Sequence, residues 1–328
     1  MTTTRRQFLS VAAAGAATAI AGAPRPALAQ QYPAQDIHFI GAFPPGSGSD
    51  VLVRYYAEKI RPIANRTIVV EAKSGAGGNI SMSYVARSKP DGYTIYVHAG
   101  SAVAANMWLY KQPPFPDAGK ALQIAATLNR QPFMMVVDAK SPYQSVADVT
   151  KAMKEKGTKA TYATAAPTAT VMGELYKAAT GVQAVEVVYK NAIDSLNDQL
   201  AGTIDYAMCD PVYSAAQQRE GRLRILGVST GQRLAANPAW PTMAEQGVPM
   251  DLTGWFAAMV PQGTPRPIVD QINRWFNEVT AQPETRQFLN NAGGDPWIST
   301  PDEGQARLLH DVAAWQDYMR IAKIEPQG

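Results

Sequence analysis

The sequence predicts an exported protein of two α/β lobes. Three observations carry this. Apolar strand, small-residue loop and amphipathic helix recur in that order along the chain. The N-terminus has the layout of an export signal. The length of 328 residues, 46% of them hydrophobic, supports a large buried core in one large domain or two smaller ones.

The export signal occupies residues 1–29. "TRRQFLS" sets Arg5 and Arg6 before Phe8 and Leu9, an Ala- and Gly-rich run follows, and "PALAQ" offers a cleavage point between Ala29 and Gln30. The paired arginines match the twin-arginine type of signal. The apolar run is shorter than the ~20 residues a membrane span needs. No cysteine lies near the cut, so no lipid anchor is expected. The mature chain is expected to be soluble and periplasmic.

Composition excludes several classes. The formal net charge is +3 and there is no long basic block, so no nucleic-acid partner is expected. Cys209 is the sole cysteine, which rules out an internal disulfide and a cysteine metal cage. His38, His98 and His310 lack helical i, i+4 spacing. No metal and no cofactor are expected.

The elements follow in order. "DIHFIGAF" reads as a buried strand and "DVLVRYYAEKIRPIA" as a helix, with Val51, Leu52, Tyr55, Tyr56 and Ile60 at helical spacing and Asp50 placed to cap it. "RTIVVEA" is a second strand, followed by "KSGAGGN" and a helix that stops before Pro90. "GYTIYVHAG" is a third strand, leading through "AGSA" to "VAANMWLY". "LQIAATLNRQPFMMVVDA" reads as two short strands around Asn129 and Arg130, and "SVADVTKAMKEKG" as a helix capped by Ser145. "KATYATAAP" is a strand opening into "TAAPTAT", and the next helix closes at Gly181. "VEVVYK", "IDYAMCD" and "LRILGVST" are further strands, with the helix "SLNDQLAG" between the first two. The last third reads as one strand and three helices. Residues 30–128 with 229–328 are assigned to lobe 1 and residues 129–228 to lobe 2.

Four loops join a strand to a helix: "PPGSGSD", "KSGAGGN", "AGSA" and "TAAPTAT". Loops at the C-terminal ends of parallel strands converge on one crevice. Each exposes a helix N-terminus, whose free N–H groups and dipole favour an anion. Glycine lets the backbone approach a ligand closely, and Ser or Thr adds hydroxyl donors. The anion is open at this stage. "GSGSD" lacks the Lys-Ser/Thr of a phosphate-binding P-loop, "GAGGNI" has only part of a dinucleotide fingerprint, and no nucleophile elbow is present.

Four stretches carry a family resemblance: "YPAQDIHFIGAFPPGSGSDVLVR", "VVEAKSGAGGNIS", "SKPDGYTIYV" and "VPQGTPRPIVDQIN". In this order they resemble the extracytoplasmic receptors of tripartite tricarboxylate transporters, the Bug or TctC family, over essentially the whole mature chain. The resemblance implies a type II periplasmic binding protein fold. It implies a receptor, not an enzyme, that closes on a small carboxylate and delivers it, as a monomer, to membrane transporter subunits. It also implies that backbone N–H groups, hydroxyls and waters hold the ligand.

Carried over by position, the ligand-binding residues are Phe43, Pro45, Gly46, Ser47, Ser49 and Asp50 from the first loop. The second gives Gly75, Ala76, Gly77, Gly78 and Asn79. The third gives Ala99, Gly100 and Ser101, with Asn106 beyond it. Lobe 2 gives Thr164, Ala165, Thr168 and Asp210. Asp50 and Asn79 also suit helix caps, and Trp255 and Tyr189 read as packing residues. The second-lobe loop departs from the family's usual S-S-G-x-G-T, which leaves the ligand's identity open. A secreted α/β hydrolase-like enzyme and a sensing module feeding a membrane kinase stand as alternatives.

Overall fold

The structure is a computed structural model that describes residues 32–190 and 192–326. The export-signal reading falls on residues 1–29, outside the described residues. The elements of both lobes belong to the compact unit that begins at Gln35.

The chain order is β1 (Ile37–Gly41), α1 (Gly48–Ala64), β2 (Ile68–Ala72), α2 (Asn79–Ala86), β3 (Thr94–Ala99), α3 (Gly100–Leu109), α4 (Ala118–Ala121) and β4 (Leu122–Gln131). Then come β5 (Met134–Asp138), α5 (Val146–Lys156), β6 (Thr161–Thr164), α6 (Pro167–Thr180), β7 (Val185–Val188), α7 (Leu196–Leu200), β8 (Tyr206–Cys209), α8 (Pro211–Arg219) and β9 (Leu223–Val228). The chain ends with β10 (Gly254–Pro261), α9 (Arg266–Ala281), α10 (Pro283–Asn291), β11 (Asp295–Pro296) and α11 (Pro301–Ala322).

These strands form two mixed sheets, one per lobe. The first has the order β11-β4-β10-β3-β1-β2 and the second β7-β6-β8-β5-β9. Within the first, β1 runs parallel to β2 and β3 while β10 is antiparallel to β3 and β4. Within the second, β6 is parallel to β7 and β8. Each sheet therefore has parallel strands whose C-terminal ends lead into helices, the arrangement that gathers loops along one edge.

The core explains why the elements sit where they do. Phe39 of β1 and Tyr56 of α1 both stack on Phe276 of α9 at 5.5 and 5.4 Å, and the Tyr56 hydroxyl hydrogen-bonds Thr280 at 2.9 Å. Of the apolar spacing read from α1, Leu52, Tyr56 and Ile60 are this buried face, Tyr55 is half-buried, and Val51 is 47% exposed on the other side. A continuous apolar cluster elsewhere joins both sheets, from Tyr96 and Trp255 to Met172 and Tyr206.

The chain crosses between sheets at residues 132 and 133 and again after β9. Ser229 ties the crossings together. Its hydroxyl accepts from the Phe133 N–H at 2.9 Å and donates to the Leu252 carbonyl at 2.8 Å, and its own N–H donates to the Phe133 carbonyl.

Four details differ from the sequence expectation. The break between β4 and β5 falls at Pro132, which has no N–H for the ladder, and not at Asn129 and Arg130. The third strand runs straight into α3, which starts at Gly100, so "AGSA" is a strand-to-helix junction with hardly any loop. The cap of α1 is Ser47, which accepts from the Asp50 N–H, while Asp50 lies inside the first turn. A short α4, the nine-residue α8 and the two-residue β11 were not expected from the sequence.

Candidate functional site

The first loop is built around one carboxylate. Asp50 is 6% exposed, and its Oδ2 accepts from the Gly46 N–H and from Arg54 Nε, both at 2.9 Å. Burial alone would raise its pKa. The Arg54 hydrogen bond, the Gly46 N–H and the Arg54 charge outweigh that and hold the carboxyl below its ordinary value. Asp50 therefore works as the internal pin of the loop. Gly46 sits at φ +85°, a conformation that a side chain resists. Pro45 is exposed, and the buried Ser49 Oγ has no partner.

The second loop turns through four successive positive φ values, at Gly75, Ala76, Gly77 and Gly78. Asn106 reaches it from α3: its Nδ2 donates to the Gly77 carbonyl at 3.0 Å and to Asn79 Oδ1 at 2.8 Å. Ser81 and Tyr96 donate to the Gly78 carbonyl. A side chain at Gly78 would press on His98 Nε2 and the Tyr96 hydroxyl. The two asparagines thus fix the loop's shape from below.

The third junction places Ala99 as the residue before α3 and Gly100 in its first turn. Gly100 is required because a Cβ there would fall within 3.0 Å of three Trp255 ring atoms. Trp255 is fully buried, its indole N–H donates to Asp311 at 2.7 Å, and its backbone N–H meets Ser101 Oγ at 3.4 Å. The packing role read for Trp255 is this one.

From the second sheet, Thr164 and Thr170 both donate to Glu186 Oε1 at 2.6 Å. Ala165 is half-buried. Asp210 caps α8 by accepting from the Tyr213 N–H at 2.9 Å. Burial raises its pKa, against hydrogen bonds from Tyr213 and Val212 that lower it. Tyr189 donates to Asp198 at 2.6 Å. Thr164, Asp210 and Tyr189 each engage groups of their own lobe.

Across the lobes, Ser101 in the first turn of α3 and Thr168 in the first turn of α6 line one crevice of about 10 Å³, room for roughly one water. The first turns of two helices, one from each lobe, therefore border the same space, together with Asp251, Arg307 and Asp311. Phe43 of the first loop has its ring 5.5 Å from that of His98. The loops themselves carry no lysine or arginine beyond Lys73 at the foot of the second. Among the described residues no group of three His, Cys, Asp or Glu could hold a metal, and no helix is long and apolar enough to cross a membrane.

The model of the TctC family, "Tripartite tricarboxylate transporter family receptor", matches residues 52–323. The chain belongs to this family. BugT of Bordetella pertussis is 29% identical over 314 residues, which cover 94% of this chain and 96% of that protein. A UPF0065 protein of Bordetella bronchiseptica is 28% identical over 300 residues, 92% of this chain and 89% of that one. Among solved structures, R. palustris Rpa4515 with adipate superposes with a TM-score of 0.80 at 27% identity, over 90% of this chain and all of that one. The periplasmic binding protein BugD gives 0.76 at 26% identity over the same shares. The chain is thus a solute receptor of the TctC family with the two-lobed binding-protein fold.

Within this TctC chain three site features escaped the sequence reading. Glu186 claims the Thr164 hydroxyl, a cross-strand contact with no sequence motif. Arg307 of α11 lines the Ser101–Thr168 crevice from the far end of the chain. His98 lies under the three lobe-1 loops, where its apolar strand context hid it.

Proposed function

We propose that this receptor is exported to the periplasm, holds one small carboxylate between the lobes, and hands it to membrane subunits of a tripartite tricarboxylate-type transporter. The observation that carries the reading is the shared crevice of Ser101 and Thr168. It brings the first turns of α3 and α6, from opposite sheets, to one lining whose charged members are Arg307, Asp251 and Asp311. The helix dipoles and Arg307 favour an anion there, Asp251 opposes it, and Asp311 is paired with Arg307 at 2.8 Å. The loops, poor in charge, support recognition by N–H and hydroxyl donors, with Gly46, Ser47, Ser49, Ala165, Thr168 and residues 75–79 and 99–101 around the ligand. Asp50, Asn106, Thr164 and Asp210 hold these donors in place. A ligand that bridges two lobes joined at a hinge shifts the balance toward closure, which is the form a transporter can read.

Rpa4515 is seen with adipate, which supports a carboxylate here. The matching family is one of receptors and the neighbour BugD is a periplasmic binding protein, which supports a receptor over an enzyme. The test is a thermal-shift panel on the mature chain after unfolding and refolding to remove carried-over ligand. Dicarboxylates, tricarboxylates, aromatic acids, amino acids and neutral amides form the panel. An acid at a hundred times its dissociation constant adds about 2.7 kcal/mol. A shift by one class of acid supports the reading, and no shift by any acid contradicts it.

A further inference from the structure

His98 is the penultimate residue of β3, just before the junction with α3. Its side chain is buried, with 1% of the residue exposed, yet neither Nδ1 nor Nε2 has a hydrogen-bond partner. The ring is surrounded by Phe43, Tyr96 and Phe256 at centroid distances of 5.5, 5.2 and 6.1 Å. Nε2 faces the Gly78 backbone, where any side chain would come as near as 3.0 Å. Burial pushes the imidazole pKa down to about 3, so at neutral pH the ring carries one donor and one acceptor.

Such a residue is unexpected for packing. Roughly nine in ten buried polar groups find a partner, and an orphaned buried one is destabilising. Leucine would fill this apolar pocket without that cost. The orphan is also not placed at random. It lies beneath the β1–α1, β2–α2 and β3–α3 junctions, and the β1–α1 loop holds a second orphan, Ser49 Oγ. Phe43, which is 40% exposed, is the ring that covers it.

We propose that His98 is a specificity-determining residue: its imidazole hydrogen-bonds a hydroxyl of the bound acid, directly once Phe43 swings aside or through one trapped water. The receptor therefore selects hydroxy acids over their deoxy counterparts. A hydroxyl both donates and accepts, so it pairs with whichever nitrogen faces it. A second carboxylate could only accept, and would bury a charge beside a neutral ring. An apolar group would leave both nitrogens unpaired. This proposal rests on the receptor reading above and names the chemistry of its ligand.

The test is calorimetric titration of the refolded mature chain with glutarate against 2-hydroxyglutarate and benzoate against 3-hydroxybenzoate, in wild type, His98→Leu and His98→Gln. Wild type binds the hydroxy member of the pair it accepts at least about tenfold more tightly, as one well-made buried hydrogen bond to a ligand hydroxyl supplies. In His98→Leu the ratio falls to near one, and His98→Gln keeps part of it. Because leucine removes the orphaned nitrogens, His98→Leu melts at or above the wild-type temperature without acid, so a lost preference cannot be a lost fold. Equal binding of both members by wild type, or an unchanged ratio in His98→Leu, overturns the role of His98 alone. Failure of wild type to bind any acid of the thermal-shift panel overturns the receptor reading and this proposal together.

Discussion

Removal of the Asp50 carboxylate separates a loop pin from a ligand contact. In Asp50→Ala the Gly46 N–H and the Arg54 guanidinium lose their shared acceptor. A hydrogen bond to a buried carboxylate contributes about 1.5–3 kcal/mol. The Arg54 pair contributes only about 0.2–1 kcal/mol because the arginine is half-exposed. Relief of the buried charge offsets part of the sum, leaving a loss of about 2–3 kcal/mol. For a chain of this length that lowers the melting midpoint by roughly 3–6 °C. Asp50→Asn keeps one acceptor and loses about half as much. The folded pKa of Asp50 lies below its ordinary value of 3.8, so the wild-type advantage is full above pH 3.8. It shrinks as pH falls through the folded pKa. The assay is thermal unfolding by circular dichroism from about pH 7 to about pH 3, spanning the carboxylate range, paired with acid titration at neutral pH. The expected result is a destabilised chain with several-fold weaker acid binding. A variant as stable as wild type that binds no acid would show that Asp50 touches the ligand and does not pin the loop.

Other consequences follow from single residues. Gly46→Val forces a β-branched residue into φ +85° with nothing within 4 Å to clash. It costs about 1–2 kcal/mol of backbone strain and weakens acid binding by calorimetry; unchanged affinity would make the loop a mere turn. Gly100→Ala drives a methyl into a Trp255 ring held by Asp311. Overpacking of this kind costs about 1–3 kcal/mol, measurable as a lower urea midpoint, and an unshifted midpoint would show that the ring yields freely. His98 stays neutral in the fold down to about pH 3 but titrates near 6.5 when unfolded. The folded state therefore binds fewer protons between these values, and stability falls as pH drops from 6.5 toward 3. His98→Leu escapes this loss, so its advantage over wild type widens with acid; a constant gap across that window would contradict the buried neutral ring.

The fold was legible because its signals are local. The apolar spacing of Leu52, Tyr56 and Ile60, the Ser145 cap, the Gly181 stop and the small-residue junctions each fix one element without reference to distant residues. The same signals located the strand-to-helix junctions. What stayed hidden depends on partners that no local pattern names. Asp50 looked like a cap, but the cap is Ser47, and the carboxylate turns back to Gly46 and Arg54 because burial leaves it no water. Thr164 looked like a free donor until Glu186, on the neighbouring strand, took its hydrogen. Gly100 is glycine on account of Trp255, 155 residues away. His98 looked like one more residue of a buried strand, since sequence cannot show that both its nitrogens are unpaired.

The central claim is that the facing helix ends hold a negative charge. The most direct test is calorimetric titration of the refolded mature chain with an acid found in the panel and with its neutral amide, which has nearly the same shape. One acid is expected to bind per chain, and the amide at least about a hundredfold more weakly, because the N–H donors and both dipoles favour the charged form. Acid and amide bound with equal affinity would contradict it.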